Sequence, residues 1–146
     1  MTALAGFADV FELDVLKLIM NTTTLTGIAV NDTGVPLTNL EVALHTADPT
    51  EAGDQTSSEA NYTDYARVPV ARTTGGWTAA NPSANVAAIT FPLCGASGCT
   101  ATHFSIGWAH AGASKIIAGG QLTAPLVISA GITPSFAIGA LTVGLD

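Results

Sequence analysis

Four residues past the middle of the chain are of the types that bind soft metals. Cys94, Cys99, His103 and His110 are spaced C-x4-C-x3-H-x6-H. A structural zinc site needs thiolates and imidazoles at tetrahedral reach. The cysteine spacing is at the loose end of the usual pattern and the histidine spacing exceeds it. Alternation along a regular strand would also send His103 and His110 to opposite faces, so no metal is expected. The same cysteines could instead close a disulfide, Cys94 to Cys99, across a Gly-rich connection. The opening residues MTALAGFADVFELD carry acids early and no basic n-region, unlike a secretory signal. A reducing compartment and two free thiols are therefore the expectation.

Asp48, Glu51, Asp54, Glu59 and Asp64 could offer oxygens to calcium, but the D-x-[DN]-x-[DN]-G order of a calcium loop is missing, and a solvated loop is expected. Ser97 in G-A-S-G lacks the glycine spacing and strand-to-helix setting of a nucleophile elbow. His45 near Asp48 is an ordinary coincidence at a strand end. No phosphate loop or dinucleotide fingerprint is present. Arg67 and Arg72, two of only four cations, are expected to pair with the acidic loop or a partner. Tyr62, Tyr65, Trp77 and Trp108 are too scattered for a sugar platform, and Trp108 shares parity with Phe104 and Ile106, which reads as core. Neither an enzyme nor a cofactor is expected.

The elements that would position these residues centre on Leu40 to Arg72. Leu40, Val42 and Leu44 alternate with Glu41, Ala43 and His45, the period of a half-buried strand. Asp48-Pro49 stops it, and a polar acidic loop follows. The chain re-enters a strand at Tyr62, where Ala66, Val68 and Val70 alternate with Arg67 and Pro69. Proline restricts that strand to a sheet margin. Upstream, residues 3–20 predict a helix. Leu4, Phe7, Ala8, Phe11, Val15, Leu18 and Ile19 form one apolar stripe suited to docking on the domain's own sheet. Val10, Leu13, Leu16 and Met20 form a second, candidate contacts with another subunit; the alternative is a helix tucked deep in its own domain.

Further short strands are expected at 25–30, 77–80, 86–91, 102–109, 115–122, 125–129 and 141–145, with Gly, Pro and Asn turns between them. Strands at this spacing read as an all-β sandwich, jelly roll or barrel. By length, residues 1–146 form a single β-sandwich domain whose residues 1–24 are a helical arm.

Charged residues are 10% of the chain, against roughly 25% in an ordinary soluble domain. Mean hydropathy is +0.44, yet no apolar run approaches the ~18 residues needed to span a bilayer. Beyond Arg72 only Lys115 and Asp146 carry formal charge. A surface so poor in charge is expected to be covered in part by a partner or by copies of itself. The net charge of −7 argues against nucleic acid.

The order of short motifs points further. A-L-H-T-A-D-P, Y-A-R, I-T-F-P, T-H-F-x-I and a closing G-A-L-T-V follow one another from Leu40 onward, after a helix of the type ADVFELDVLKLIM. In this the chain resembles a family of small tailed-bacteriophage virion proteins. The resemblance implies a jelly-roll capsid cement or decoration protein, although relatives are often described as tail-fibre proteins. Residues 25–38 are longer than the pattern, and the Cys94/Cys99 pair departs from it. The reading is an all-β, jelly-roll-like β-sandwich with a short N-terminal α-helix, made in the host cytoplasm and carried on the outer capsid surface. It would bind the major capsid protein and itself, as a dimer ahead of a trimer, and neither nucleic acid nor membrane. The rival is a tail-fibre or baseplate module that binds a cell-surface glycan.

Overall fold

The computed structural model of the chain describes residues 9–25, 29–30, 34, 36–50 and 52–145. In chain order they form a helix α1 (Asp9–Asn21) and strands β1 (Asn39–His45), β2 (Val68–Ala71), β3 (Ser83–Ala84), β4 (Ile89–Thr90), β5 (Cys99–Gly107), β6 (Ile116–Ile128), β7 (Ser135–Phe136) and β8 (Thr142–Val143). This is the all-β class with a short N-terminal helix that the patterning predicts. The residues gather into two units. One is built from Met1–Thr38, Ala71–Ala87 and Ala137–Asp146, the other from Asn39–Val70 and Ala88–Phe136.

The second unit is organised by a four-stranded sheet ordered β2-β1-β5-β6, so β2, with the exposed Pro69, lies at a margin as its proline requires. The antiparallel registers of β1, β5 and β6 define two faces. Rows Val42–Ile106–Ala118 and Leu44–Phe104–Gly120 lie on one face, and rows Ala43–Ser105–Gly119 and His45–His103–Gln121 on the other. The first face is apolar. Phe104 meets Phe136 edge-on at 5.8 Å between centroids, and Phe136 lies 6.2 Å from Phe91. Phe91 stacks on Tyr65 at 6.3 Å. Antiparallel β4 and β7 hold Phe91 and Phe136 in place, pairing Ile89 with Phe136 and Thr90 with Ser135.

Three expectations are corrected here. The strand β1 is not half-buried: Leu40 to His45 are buried on both faces, because the acidic loop folds over the polar side. Trp108 is not core. Strand β5 ends at Gly107, leaving the indole 43% exposed with the Lys115 ammonium 5.4 Å from its ring centroid. The two strands expected at 115–122 and 125–129 are one, β6. Its register jumps from Ala101↔Leu126 to His103↔Gln121, so Leu122–Pro125 stand opposite Thr102 alone. Pro125, unable to donate to a ladder, sits in this bulge.

In the first unit, α1 begins within the predicted span, and residues 3–8 of that prediction lie outside the described residues. Its buried face is Glu12, Leu16 and Met20, four residues apart, followed by Asn21. Val15, Leu18 and Ile19, from the stripe expected to dock, are only half-buried. The helix end is tied down by Arg72. Its Nε donates to the Ile19 carbonyl at 2.6 Å, Nη2 to Leu18 at 2.9 Å and Nη1 to Leu37 at 2.9 Å. The Leu18 and Ile19 carbonyls are ones that a helix terminus leaves without partners, and a cation suits that end of the dipole. Asn85, fully buried, donates through Nδ2 to the carbonyls of Ala87 and Ala137 at 2.8 Å each and accepts from the Leu141 N–H at 2.9 Å. Strand β3 pairs antiparallel with β8. The strands expected at 77–80, 86–91 and 141–145 shrink to a Trp77↔Asn85 bridge and to β4 and β8. Of 25–30, Leu25 and Ala29 form a bridge; residues 26–28 lie outside the described set. No described helix is long and apolar enough to cross a membrane.

Candidate functional site

Burying the polar face of β1 and β5 requires a partner for every donor and acceptor, since each one left unmatched costs about 1–3 kcal/mol. The loop between β1 and β2 supplies them. Gln55, wholly buried, donates through Nε2 to the Glu41 carbonyl at 2.9 Å and to Ser105 Oγ at 3.3 Å. Ser105 Oγ lies 2.7 Å from His45 Nε2, and His45 Nδ1 lies 2.9 Å from the Ser57 carbonyl. A carbonyl only accepts, so Nδ1 carries the imidazole proton, and Nε2 accepts from the Ser105 hydroxyl. Burial pushes the His45 pKa below its ordinary value against the opposing pull of the Ser57 carbonyl, and the neutral ring is the form this chain of bonds needs. Gly107 makes the close approach possible, because a Cβ there would collide with the Gln55 side chain and with Ser114 Oγ.

Arg67 fastens the loop on its other side. Nε and Nη2 grip the Glu59 carboxylate at 2.7 and 2.8 Å. Nη1 reaches the Ala109 carbonyl and Nη2 the Gly112 carbonyl, both at 2.8 Å, and Nη1 approaches Gln55 Oε1 at 3.4 Å. The Glu59 hydrogen bonds hold the guanidinium proton more tightly than usual. Tyr65 Oη accepts from the Leu44 N–H at 3.0 Å and donates to Glu59 Oε1 at 3.2 Å, and burial raises its pKa. The histidine of A-L-H-T-A-D-P, the tyrosine and arginine of Y-A-R and the serine after T-H-F thus belong to one clip that holds the loop on the sheet. Arg67 pairs with the acidic loop as expected. Gln55, Ser105 and Gly107 were not singled out by the sequence; the only signal was an amide inside an otherwise acidic loop.

Two open clefts border the clip. One, of about 400 Å³, is lined by Glu59, Asn61, Tyr65, Arg67 and His110 among others. The other, of about 330 Å³, lies between the Asp48–Thr50 turn and the end of the polar face, against His103, Ile116, Gly119 and Gln121. His103 and His110 therefore line separate clefts. His110 Nδ1 is 3.0 Å from Glu41 Oε2, and His103 Nδ1 is 2.9 Å from Thr102 Oγ1.

The cysteines carry no bridge. Cys94 is buried with Sγ 3.6 Å from the Ser97 carbonyl, and burial raises its thiol pKa; Cys99 is half-buried at the start of β5. The loop acids are spread out. Asp48 accepts from the Thr50 N–H at 2.8 Å, Asp54 from the Thr56 N–H at 2.7 Å, and Glu59 from Arg67; Glu51 lies outside the described residues. Among the described residues, no three His, Cys, Asp or Glu side chains gather as metal ligands. Of the candidate partner contacts, Leu16 and Met20 are 3% and 1% exposed, so they are core of their own unit. Leu13 is half-buried, and the Val10 side chain lies outside the described residues.

The strongest polar groups of this small β-rich fold thus clip its own loop to its own sheet. The chain matches the family described as Podophage GP4 fiber I protein gp80 over residues 9–144, and it belongs to that family. It is a bacteriophage virion protein of the fibre-related kind. No curated protein matches it.

Proposed function

We propose that the protein is a structural subunit of the phage fibre, a rigid β module that packs against copies of itself and neighbouring virion proteins. The family match over 9–144 carries this reading. The surface chemistry supports it. No charged residue lies between Lys115 and Asp146, while Val127, Ile132 and Ile138 are exposed. Apolar surface of this kind contributes about 25 cal/mol per Å² when a neighbour covers it. The second reading, a cement protein on the outer capsid bound to the major capsid protein, is favoured by the same uncharged stretch, which suits repeated contacts across a shell. Electron cryomicroscopy of intact particles separates them. A few copies at the tail support the fibre reading; one copy per capsid subunit overturns it. Particles stripped of the protein should fail to adsorb to cells, whereas loss of cement would instead release DNA at a lower temperature.

A further inference from the structure

We infer that the cleft between the Asp48–Thr50 turn and the His103–Gln121 row binds a neutral, polyhydroxylated ligand, the sugar ring of a surface glycan. Its biological setting rests on the fibre reading, but its chemistry is argued from the cleft itself. The two clefts differ in what their polar atoms have left to offer. Around the larger one, Arg67, Glu59 and Tyr65 bond one another and nearby carbonyls, leaving the Asn61 carboxamide and His110 Nε2 unbonded among the described residues. In the smaller one the loop no longer covers the polar face, and polar groups keep free valences. Among the described residues the Gln121 carboxamide and the Thr50 hydroxyl make no side-chain hydrogen bond, His103 is bonded only through Nδ1, and Asp48 only through Oδ1.

That set, one carboxylate oxygen, one imidazole nitrogen, one amide and one hydroxyl, both donates and accepts. Sugar hydroxyls do the same, and a carboxylate and a carboxamide can each take a pair of them. A cation would find one carboxylate, too few ligands for calcium. An anion would face Asp48 on a chain of net charge −7. Gly119 leaves the β6 backbone bare toward the cleft, and the half-buried Ile116 gives an apolar patch on which the C–H face of a ring can rest. The volume, about 330 Å³, is at the small end of ligand pockets, roughly 300–1,000 Å³, and suits a ring or two rather than a long chain.

The test is NMR of the isotope-labelled protein titrated with galactose, glucose, N-acetylglucosamine and rhamnose. At least one should move the Gln121 side-chain amide and His103 ring signals. Gln121→Ala, at an exposed side chain that bonds nothing, should fold normally and weaken that binding about tenfold; His103→Ala should act in the same direction. If no sugar moves those signals, or both variants bind as tightly as the parent, the inference fails. Sugar binding in the cleft of a protein that sits on the capsid would sink the fibre reading and leave the cleft; a tail location with a silent cleft would do the reverse.

Discussion

At the scale of single residues, the buried imidazole of His45 couples the fold to pH. Burial lowers its folded pKa, while the unfolded chain returns to about 6.5. Below that value the unfolded state binds the proton and the folded state resists it, so stability falls as pH falls. The contribution is complete above about pH 6.5 and is lost toward the folded pKa, with a slope of at most about 1.4 kcal/mol per pH unit. Urea midpoints measured from about pH 7.5 down to about pH 5.5 should decline in the parent and decline less in His45→Gln. Arg67 is the other residue with large leverage. Arg67→Met leaves the Glu59 carboxylate and two carbonyls without their donor, and should cost about 3–5 kcal/mol in urea unfolding; Arg67→Lys, which keeps charge but not the fork, should cost less. The Arg67 pairing was legible in the sequence because cations are scarce and acids crowd one loop. The Gln55–Ser105–His45 relay was not, since it joins residues far apart in the chain that follow no period.

At the scale of elements, periodicity located α1, β1 and β5 but misjudged what covers them. The alternation of β1 is real; its polar half is buried because a loop, not water, lies on it. Leu16 and Met20 of the second stripe of α1 are core of their own unit, whereas Leu13, Val15, Leu18 and Ile19 are half-buried. Both stripes are apolar, and the spacing of Glu12, Leu16 and Met20 selects a face whose charged member hid it from a hydrophobicity count. Asn81 Nδ2 donates to Glu12 Oε2 at 3.3 Å, which helps a carboxylate to live there. Leu16→Asp is therefore expected to destabilise the isolated protein by several kcal/mol, about the cost of an unpaired buried charge. Leu13→Asp should cost about 1 kcal/mol or less. Thermal melts of the two variants decide this, and equal losses would contradict the placement of Leu16.

At the scale of the whole molecule, the charges crowd toward one end of the sequence and leave the C-terminal half nearly neutral. Copies of a −7 chain repel one another at long range, and the uncharged half is where they can meet without repulsion. Sedimentation at micromolar concentration should show a homo-oligomer, with a dimer as the first species. A monomer at every concentration would mean that assembly needs other virion proteins. Kinship to phage virion proteins was legible because motif order survives along the chain. Fibre and cement roles were not separable from composition, because both use the same sparsely charged, partner-covered surface.

The bulge in β6 has a consequence for crowding. As the last strand of its sheet, β6 presents a long, uncharged margin of the kind that templates cross-β growth. Leu122–Pro125 break that margin into two runs, Ile116–Gln121 and Leu126–Ile128, with a residue between them that has no N–H to give. An incoming strand loses its register at the break, so edge-on stacking cannot propagate from copy to copy. A break of this kind is one of the ways an edge strand is protected against pairing with another copy.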